Sequence, residues 1–170
     1  WEQAVMAFTQ ATSLAPDFSI AWYNLGQAEK QLGNMEVAKS HFDQAIALQQ
    51  GLVKAYFDRA LLNKQIGNKE EAIEDYNRII ELDGAYYLEA FLNRGLTKKM
   101  LGDYTGALAD FDQVSNEFPS NAALYVNRGN LQLGFGFSQK AIQDYTRAIH
   151  LDRQYAEAYY NRGLSHLLLF

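Results

Sequence analysis

The chain has 170 residues, no cysteine, a formal net charge of −5 and a pI near 5.2. These values exclude disulfides and disfavour nucleic-acid binding, which normally requires a basic face. No stretch reaches the roughly 18 apolar residues that a membrane-spanning helix requires, and no signal segment opens the chain. We therefore expect a soluble protein without direct membrane insertion, with the cytoplasm as the favoured compartment, whose two ends continue into a longer chain.

An internal repeat sets the order of the predicted elements. Bulky aromatic residues recur at spacings of 34, 35, 34 and 34 residues: Trp22, Tyr56, Phe91, Tyr125 and Tyr159. A fixed period of this length indicates one supersecondary unit stacked on copies of itself in a single array over 1–170. Repeat positions are counted here from three residues before each aromatic. Full repeats then cover 19–52, 53–87, 88–121 and 122–155, preceded by a partial repeat over 1–18 and followed by a truncated one over 156–170.

Each repeat is predicted to contain two helices. The partial repeat supplies only a second helix, with Ala4, Phe8 and Ala11 at positions 20, 24 and 27. The later repeats carry a small residue at position 8 of the first helix, an alanine at position 20 and an aromatic at position 24 of the second. Spacings of three and four residues place these side chains on one helical face. The small residues therefore predict that the two helices of a repeat approach each other closely.

Turn signals separate the two helices. Gly33, Gly67, Gly102 and Gly136 occupy the turn of successive repeats, as expected where a helix ends in a left-handed residue. Asn34, Asn68 and Asp103 follow three of these glycines and are predicted to cap the next helix. The repeat over 53–87 is one residue longer than the others, and we place the extra residue around Asp83-Gly84-Ala85.

These residues resemble the tetratricopeptide repeat (TPR) family. The resemblance is strongest in Ala21-Trp22-Tyr23-Asn24-Leu25-Gly26, continues through Ala38, Phe42 and Ala45, and extends over essentially the whole chain. It implies an all-α solenoid of stacked antiparallel helix pairs that forms a right-handed superhelix. In that family the first helices line a concave inner surface that binds protein segments.

One position departs from the family pattern. Position 7 is leucine only at Leu25, and it is arginine in the later repeats: Arg59, Arg94, Arg128 and Arg162. Position 23 changes in parallel to Asp75, Asp110 and Asp144. Because a semi-buried arginine needs a partner, we predict Arg–Asp bonds between successive repeats, namely Asp75–Arg94, Asp110–Arg128 and Asp144–Arg162. Pairing within a repeat and two separately solvated charges are the alternatives.

A polar ladder at position 6 of the first helices is the candidate binding feature. It consists of Asn24, Asp58, Asn93, Asn127 and Asn161. An amide can accept from and donate to the backbone of an extended peptide without reading its sequence, and the family resemblance implies that role here. Asp58 accepts but cannot donate, so it favours an N–H or basic group of the ligand. The alternative is that these side chains bond only to neighbouring helices.

Other first-helix positions complete the predicted groove. Lysines at position 12 make one part basic, and aromatic and amide side chains adjoin them: Lys30, Lys64, Lys99, Tyr23, Phe57, Gln27 and Asn130. We expect a partner segment with acidic residues followed by apolar ones, while a row of solvated lysines is the alternative. The carboxylate clamp of chaperone-tail-binding members is not expected, because position 5 is apolar and position 6 holds no arginine.

No catalytic, metal-binding or cofactor-binding pattern stands out. His41, His150 and His166 fall at different repeat positions and belong to no recognised ligand motif. The sequence therefore predicts a non-catalytic protein-interaction scaffold without a cofactor. Two alternatives stay open, a self-associating array with an apolar end at Leu164, Leu167, Leu168, Leu169 and Phe170, and a substrate-recruiting domain of a larger enzyme.

Overall fold

A computed structural model of the chain describes residues 1–82 and 86–169. Every regular element in these ranges is an α-helix, so the all-α prediction is confirmed. The helices are α1 Glu2–Leu14, α2 Ser19–Gln31, α3 Met35–Leu48, α4 Val53–Ile66, α5 Lys69–Glu81, α6 Tyr87–Met100, α7 Tyr104–Glu117, α8 Ala122–Gly134, α9 Ser138–Leu151 and α10 Ala156–Leu167. The predicted insertion at Asp83-Gly84-Ala85 lies outside the described residues.

The helices belong to two compact units. The first unit is Trp1–Ala90 and the second is Phe91–Phe170, so that α6 begins in one and ends in the other. In the first unit α2 packs on α3, α4 packs on α5, and α3 joins the two pairs by contacting α4. In the second unit α8 packs on α9, and α9 also contacts α10. Within the described residues, no helix is long and apolar enough to cross a membrane.

Close packing between the two helices of a repeat depends on the small residue at position 8. A Cβ added to Gly26 would lie 2.7 Å from the ring of Phe42, and one added to Gly129 would lie 2.7 Å from the ring of Tyr145. In the four full repeats the position-24 rings are fully buried, as are the alanines at position 20. The predicted close approach is therefore confirmed, and it fixes which face of each first helix turns away from its partner.

The turns between the helices follow the predicted glycine pattern. The four turn glycines all have positive φ: Gly33 85°, Gly67 98°, Gly102 83° and Gly136 78°. The capping prediction is correct for Asp103, whose carboxylate accepts a 2.9 Å hydrogen bond from the backbone N–H of Gly106. It is wrong for Asn34 and Asn68, whose side chains make no cap bond. Asn34 instead donates to Glu29 Oε2 at 2.6 Å, which takes its amide away from the helix start.

The predicted Arg–Asp pairing between repeats is wrong, because each arginine pairs within its own repeat. The bidentate pairs join Arg59 with Asp75, Arg94 with Asp110, and Arg128 with Asp144. The physical reason is the packing at position 8. In the third repeat, a Cβ on Gly95 would lie 3.2 Å from Asp110 Cβ, so position 23 faces the first helix of the same repeat.

The preceding repeat supplies a second partner to these arginines. Arg59 Nη1 donates to Asp43 at 2.6 Å, and Arg128 Nη1 donates to Asp112 at 2.8 Å. Both acids stand at position 25. Arg162 donates to Thr146 Oγ1, which also stands at position 25, at 3.3 Å. Arg59 and Arg128 therefore each join two successive repeats, through an acid at position 25 that was not predicted from the sequence.

Candidate functional site

The predicted groove residues lie on first helices and form one group in each compact unit. The first unit contains Tyr23, Asn24, Gln27 and Lys30 on α2 and Phe57, Asp58 and Lys64 on α4. The second contains Asn93 and Lys99 on α6, Asn127 and Asn130 on α8, and Asn161 on α10. All of them are half-buried, in contrast to the fully buried position-24 rings. These side chains are therefore accessible to a ligand while their positions are fixed by helices.

Asp58 is the centre of a polar cluster in the first unit. Its Oδ2 accepts a 2.7 Å hydrogen bond from the Tyr23 hydroxyl and a short one from Gln27 Nε2. Its Oδ1 accepts from Lys30 Nζ at 2.9 Å. The donor that was expected to come from a ligand is thus provided by the chain itself, since three positions of α2 face this carboxylate of α4.

Aromatic side chains flank this cluster. The ring of Tyr23 packs against Phe42 with centroids 5.9 Å apart, and Lys54 Nζ lies 4.5 Å from the centre of the same ring. Phe57 stacks on Tyr86 at 4.6 Å. Burial, followed by the hydrogen bond to Asp58, raises the pKa of Tyr23 well above its ordinary value, so its hydroxyl stays protonated and donating. Phe57 therefore contributes packing as well as accessible apolar surface.

Amide side chains dominate the corresponding surface of the second unit. Asn161 Nδ2 donates to Asn130 Oδ1 at 2.9 Å, and the Tyr145 hydroxyl donates to the same oxygen at 2.8 Å. Asn130 Nδ2 in turn donates to Glu157 at 3.2 Å. Burial, reinforced by the charge of Glu157, raises the pKa of Tyr145 to about 12. Asn130 and Asn161 are brought together as a bonded pair on α8 and α10.

Asn24 and Asn127 show two different environments for the same repeat position. Asn127 Nδ2 donates to the Ala123 carbonyl one turn earlier at 3.0 Å, and its Oδ1 accepts from Lys99 Nζ at 3.3 Å. Asn24 makes no side-chain hydrogen bond within residues 1–82 and 86–169. Asn24 is therefore an amide with its full hydrogen-bonding capacity on an accessible helix face.

The lysines at position 12 are not a uniform basic row. Lys30 is neutralised by Asp58, and Lys99 contacts an amide oxygen. Burial lowers the pKa of Lys64 from its ordinary value. Because Asp58 neutralises Lys30, the positive field of these lysines is smaller than their number suggests.

Two contributors to this surface were missed in the sequence. Lys54 lies over the Tyr23 ring, and the hydroxyl of Tyr145 anchors Asn130 from the second helix of the same repeat. The second had a visible signal, since tyrosine replaces phenylalanine at a fully buried position and a buried hydroxyl needs a hydrogen-bond partner. The first had none, because the repeat period does not give side-chain directions across helices.

Comparison with known proteins places this surface in a family context. Family models described as tetratricopeptide repeat match residues 20–51, 53–86 and 89–121, and a model described as TPR repeat matches residues 139–169. Tetratricopeptide repeat protein 6 of Homo sapiens is 29% identical over 166 residues, covering 96% of this chain and 32% of that protein. Serine/threonine-protein phosphatase 5 of Homo sapiens is 39% identical over 67 residues, covering 39% of this chain and 13% of that protein.

Solved structures show the same fold. The crystal structure of YrrB, described as a TPR protein with an unusual peptide-binding site, superposes with a TM-score of 0.81 at 19% identity, over 95% of this chain and 82% of that one. The chain spans about a third or less of the two human relatives. Since the matched repeat segments occupy most of its length, the chain belongs to the tetratricopeptide repeat family.

Proposed function

We propose that the chain is a non-catalytic interaction module whose first helices bind an extended segment of a partner protein. The family is generally one of protein–protein interaction modules, which supports the coarse function. The observation that carries the finer proposal is the half-exposed position of the amides at repeat position 6, with Asn24 unbonded in the described part of the chain. YrrB, which shares the fold and is described as having an unusual peptide-binding site, adds support by analogy.

The amides suit recognition of a peptide backbone. A side-chain amide has two donor hydrogens and a carbonyl acceptor, so it can satisfy both backbone groups of an extended peptide residue. Asn127 uses one N–H on its own helix, which orients the side chain and leaves the second N–H for a ligand. A side chain held in this way loses less conformational entropy on binding than a free one.

The character of the partner follows from the charges on this surface. Asp58 already neutralises Lys30, so the acidic partner expected from the lysine row receives less support than backbone recognition does. The half-buried rings of Tyr23 and Phe57 offer apolar contact instead. We therefore infer a sequence-tolerant interaction in which apolar side chains add to the backbone hydrogen bonds.

Alanine substitution at the amides tests the proposal. Peptides selected from a random extended-peptide display library against the wild-type chain would be measured against Asn24→Ala and Asn127→Ala, one in each unit. Affinity should fall by at least about fivefold, because a lost hydrogen bond is worth about 1 kcal/mol. The matched controls are Gln44→Ala and Gln143→Ala, exposed amides on second helices. Unchanged affinity in the Asn variants, or an equal loss in the controls, would contradict binding through the first helices.

Self-association through α10 is a second candidate. Leu167 and Leu168 are 74% and 67% exposed, and Leu164 and Leu169 add to the same apolar end, while Phe170 lies outside the described residues. Exposed contiguous apolar surface typically marks an interaction site. In sedimentation velocity we expect a concentration-dependent increase in mass that Leu167→Glu abolishes and Val37→Glu, at an exposed site on α3, does not. A monomer at all concentrations would exclude this candidate.

A substrate-recruiting role within a larger enzyme is the third proposal. It is supported by the alignment of 67 residues of the chain with 13% of a protein phosphatase.

A further inference from the structure

A polar cleft lies among α3, α4 and α5 of the first unit. Its volume is about 200 Å³, enough for several waters at roughly 30 Å³ each. Arg59 and Asn63 contribute from α4, Asp43 from α3, and Glu74 and Asp75 from α5, with the Lys39–Glu71 ion pair beside them. The cleft shares no lining residue with the Asp58 cluster.

The charges of this cleft are not balanced. Its four carboxylates face two cations. Arg59 bonds to Asp43 and Asp75, whereas Glu74 makes no ion pair within the described part of the chain. Burial raises the pKa of Asp75 above its ordinary value despite the arginine. The cleft therefore favours an additional positive charge.

Asn63 lines this negative cleft and carries an unsatisfied acceptor. The residue is 1% exposed, and its buried Oδ1 has no hydrogen-bond partner among the residues that the structure describes. Such an atom costs about 1–3 kcal/mol in lost hydration unless a donor reaches it. A donor, and not a further acid, is what the site lacks.

The next repeat shows which donor fits this position. Lys98 stands 35 residues after Asn63, and Asp110 stands 35 residues after Asp75. Lys98 Nζ lies 3.0 Å from Asp110 Oδ2, while Arg94 holds Asp110 as Arg59 holds Asp75. In the third repeat, where the first helix carries Lys98 in the place of Asn63, the chain itself therefore puts an ammonium group beside this aspartate.

We propose that the cleft binds an alkylammonium group, with Asn63 Oδ1 and the carboxylates of Glu74 and Asp75 as its acceptors. The group replaces the ammonium that Lys98 provides in the following repeat. The residues described contain no group of three or more His, Cys, Asp or Glu side chains that could hold a metal ion, so an organic cation is the class that fits. Its source is a free diamine or a lysine side chain of a partner protein, and both present the same chemistry.

Titration of the full chain tests the proposal. The probe is 1,5-diaminopentane, followed through the side-chain amide signals of Asn63 in ¹H–¹⁵N NMR spectra, with 1,5-pentanediol as the uncharged control. We expect saturable shifts with the diamine and none with the diol. Nα-acetyl-lysine N-methylamide forms the second arm. Tighter binding of this compound identifies a lysine side chain as the ligand, whereas tighter binding of the diamine identifies a free polyamine.

Substitutions at Asn63 remove its amide signal, so binding to these variants is followed through the backbone amide signals of Arg59 and Asp75, which line the same cleft. Asn63→Lys should supply the missing ammonium, raise Tm and weaken diamine binding at least tenfold. Asn63→Leu, which removes the acceptor without adding charge, should also abolish binding, and it serves if the lysine variant fails to fold. Lys98→Asn should create a second diamine site near Asp110. A wild-type chain whose Asn63 signals do not respond to the diamine has a cleft filled by water alone, which overturns the proposal, as does undiminished binding by Asn63→Leu.

Discussion

Arg59 and Arg128 are each the centre of three kinds of contact. Arg128 holds Asp144 through Nε and Nη2 at 2.8 and 2.6 Å, and it holds Asp112 through Nη1 at 2.8 Å. Its guanidinium also lies 5.4 Å from the centre of the Tyr125 ring. The planar fork of arginine allows all of these contacts at once, and lysine could not reproduce them. One residue thus connects the recurring aromatic, its own second helix and the preceding repeat.

Removal of Arg128 should be costly because it leaves a buried carboxylate unpaired. The Asp144 side chain is 7% exposed. We expect Arg128→Met to lower the free energy of unfolding by about 3 kcal/mol, and the double variant Arg128→Met/Asp144→Leu to recover most of that loss. Urea unfolding monitored by circular dichroism provides the measurement.

The matched control for this prediction is Asp112→Ala. The Asp112 side chain is 61% exposed, so its loss should cost less than about 1 kcal/mol. Equal costs for Arg128→Met and Asp112→Ala would show that the exposed contact matters as much as the buried one, and burial would then not explain the loss.

The glycines at position 8 permit a second test at the residue scale, because two of them have different surroundings. A Cβ at Gly129 would meet Tyr145 at 2.7 Å, whereas a Cβ at Gly163 would have no neighbour within 4 Å in residues 1–82 and 86–169. Gly129→Ala should destabilise the chain by about 1–3 kcal/mol through overpacking. Gly163→Ala should be neutral or stabilise it by up to about 1 kcal/mol through helix propensity. Thermal unfolding of both variants decides the matter, and destabilisation by Gly163→Ala would argue against an open site.

At the scale of the helix, the turns share a glycine after the first helix but differ in how the start of the second helix is capped. In four successive repeats the first helix is followed by a glycine with positive φ. A residue with a side chain would be strained in this backbone conformation. The second helices begin differently, since Asp103 bonds to the third residue of its helix and Asn68 does not. The turn geometry is therefore common to the repeats, while the capping energy differs among them.

The difference in capping can be measured directly. Asp103→Ala should cost about 1 kcal/mol, because the N–H of Gly106 loses its acceptor. Asn68→Ala should change stability by less than about 0.5 kcal/mol, because its side chain makes no cap bond. Chemical unfolding at equal protein concentration compares the two. A larger loss for Asn68→Ala would contradict the capping assignment.

At the scale of the whole molecule, the repeat period predicts the helices well and the polar contacts poorly. The period revealed Gly33, Gly67, Gly102 and Gly136 as helix ends, because backbone geometry repeats with the sequence. It did not reveal whether Arg128 turns to Asp110 or Asp144, since both assignments satisfy the same spacing. The choice of aspartate follows from the packing of position 23 against the position-8 glycine, which only the three-dimensional structure shows.

For the candidate binding surface as well, the helix positions could be predicted from the sequence and the polar contacts could not. The accessible face of the first helices could be predicted from the positions left over by packing, and the predicted groove residues are half-buried. The cluster around Asp58 could not be predicted, because its donors lie on α2 and its acceptor lies on α4, in two different repeats. Whether these residues bind a peptide stays a prediction.

Local stability should decrease toward α1 and α10, which are the outermost helices of the two units. In a stacked array each repeat is stabilised mainly by its neighbours, so a helix packed on one side opens more easily than one packed on two. Met6 and Leu14 on α1 are 72% and 81% exposed, whereas Leu62 on α4 and Ile79 on α5 are fully buried.

In native-state hydrogen exchange of the 170-residue chain, we expect amides of α1 to be protected at least about tenfold less than those of α4 and α5, a difference of about 1.4 kcal/mol in the free energy of local opening. The comparison of α10 with α8 and α9 provides the same test in the second unit. Uniform protection along either unit would instead indicate that the unit opens as one cooperative body, and the nearest-neighbour account of its stability would then be wrong.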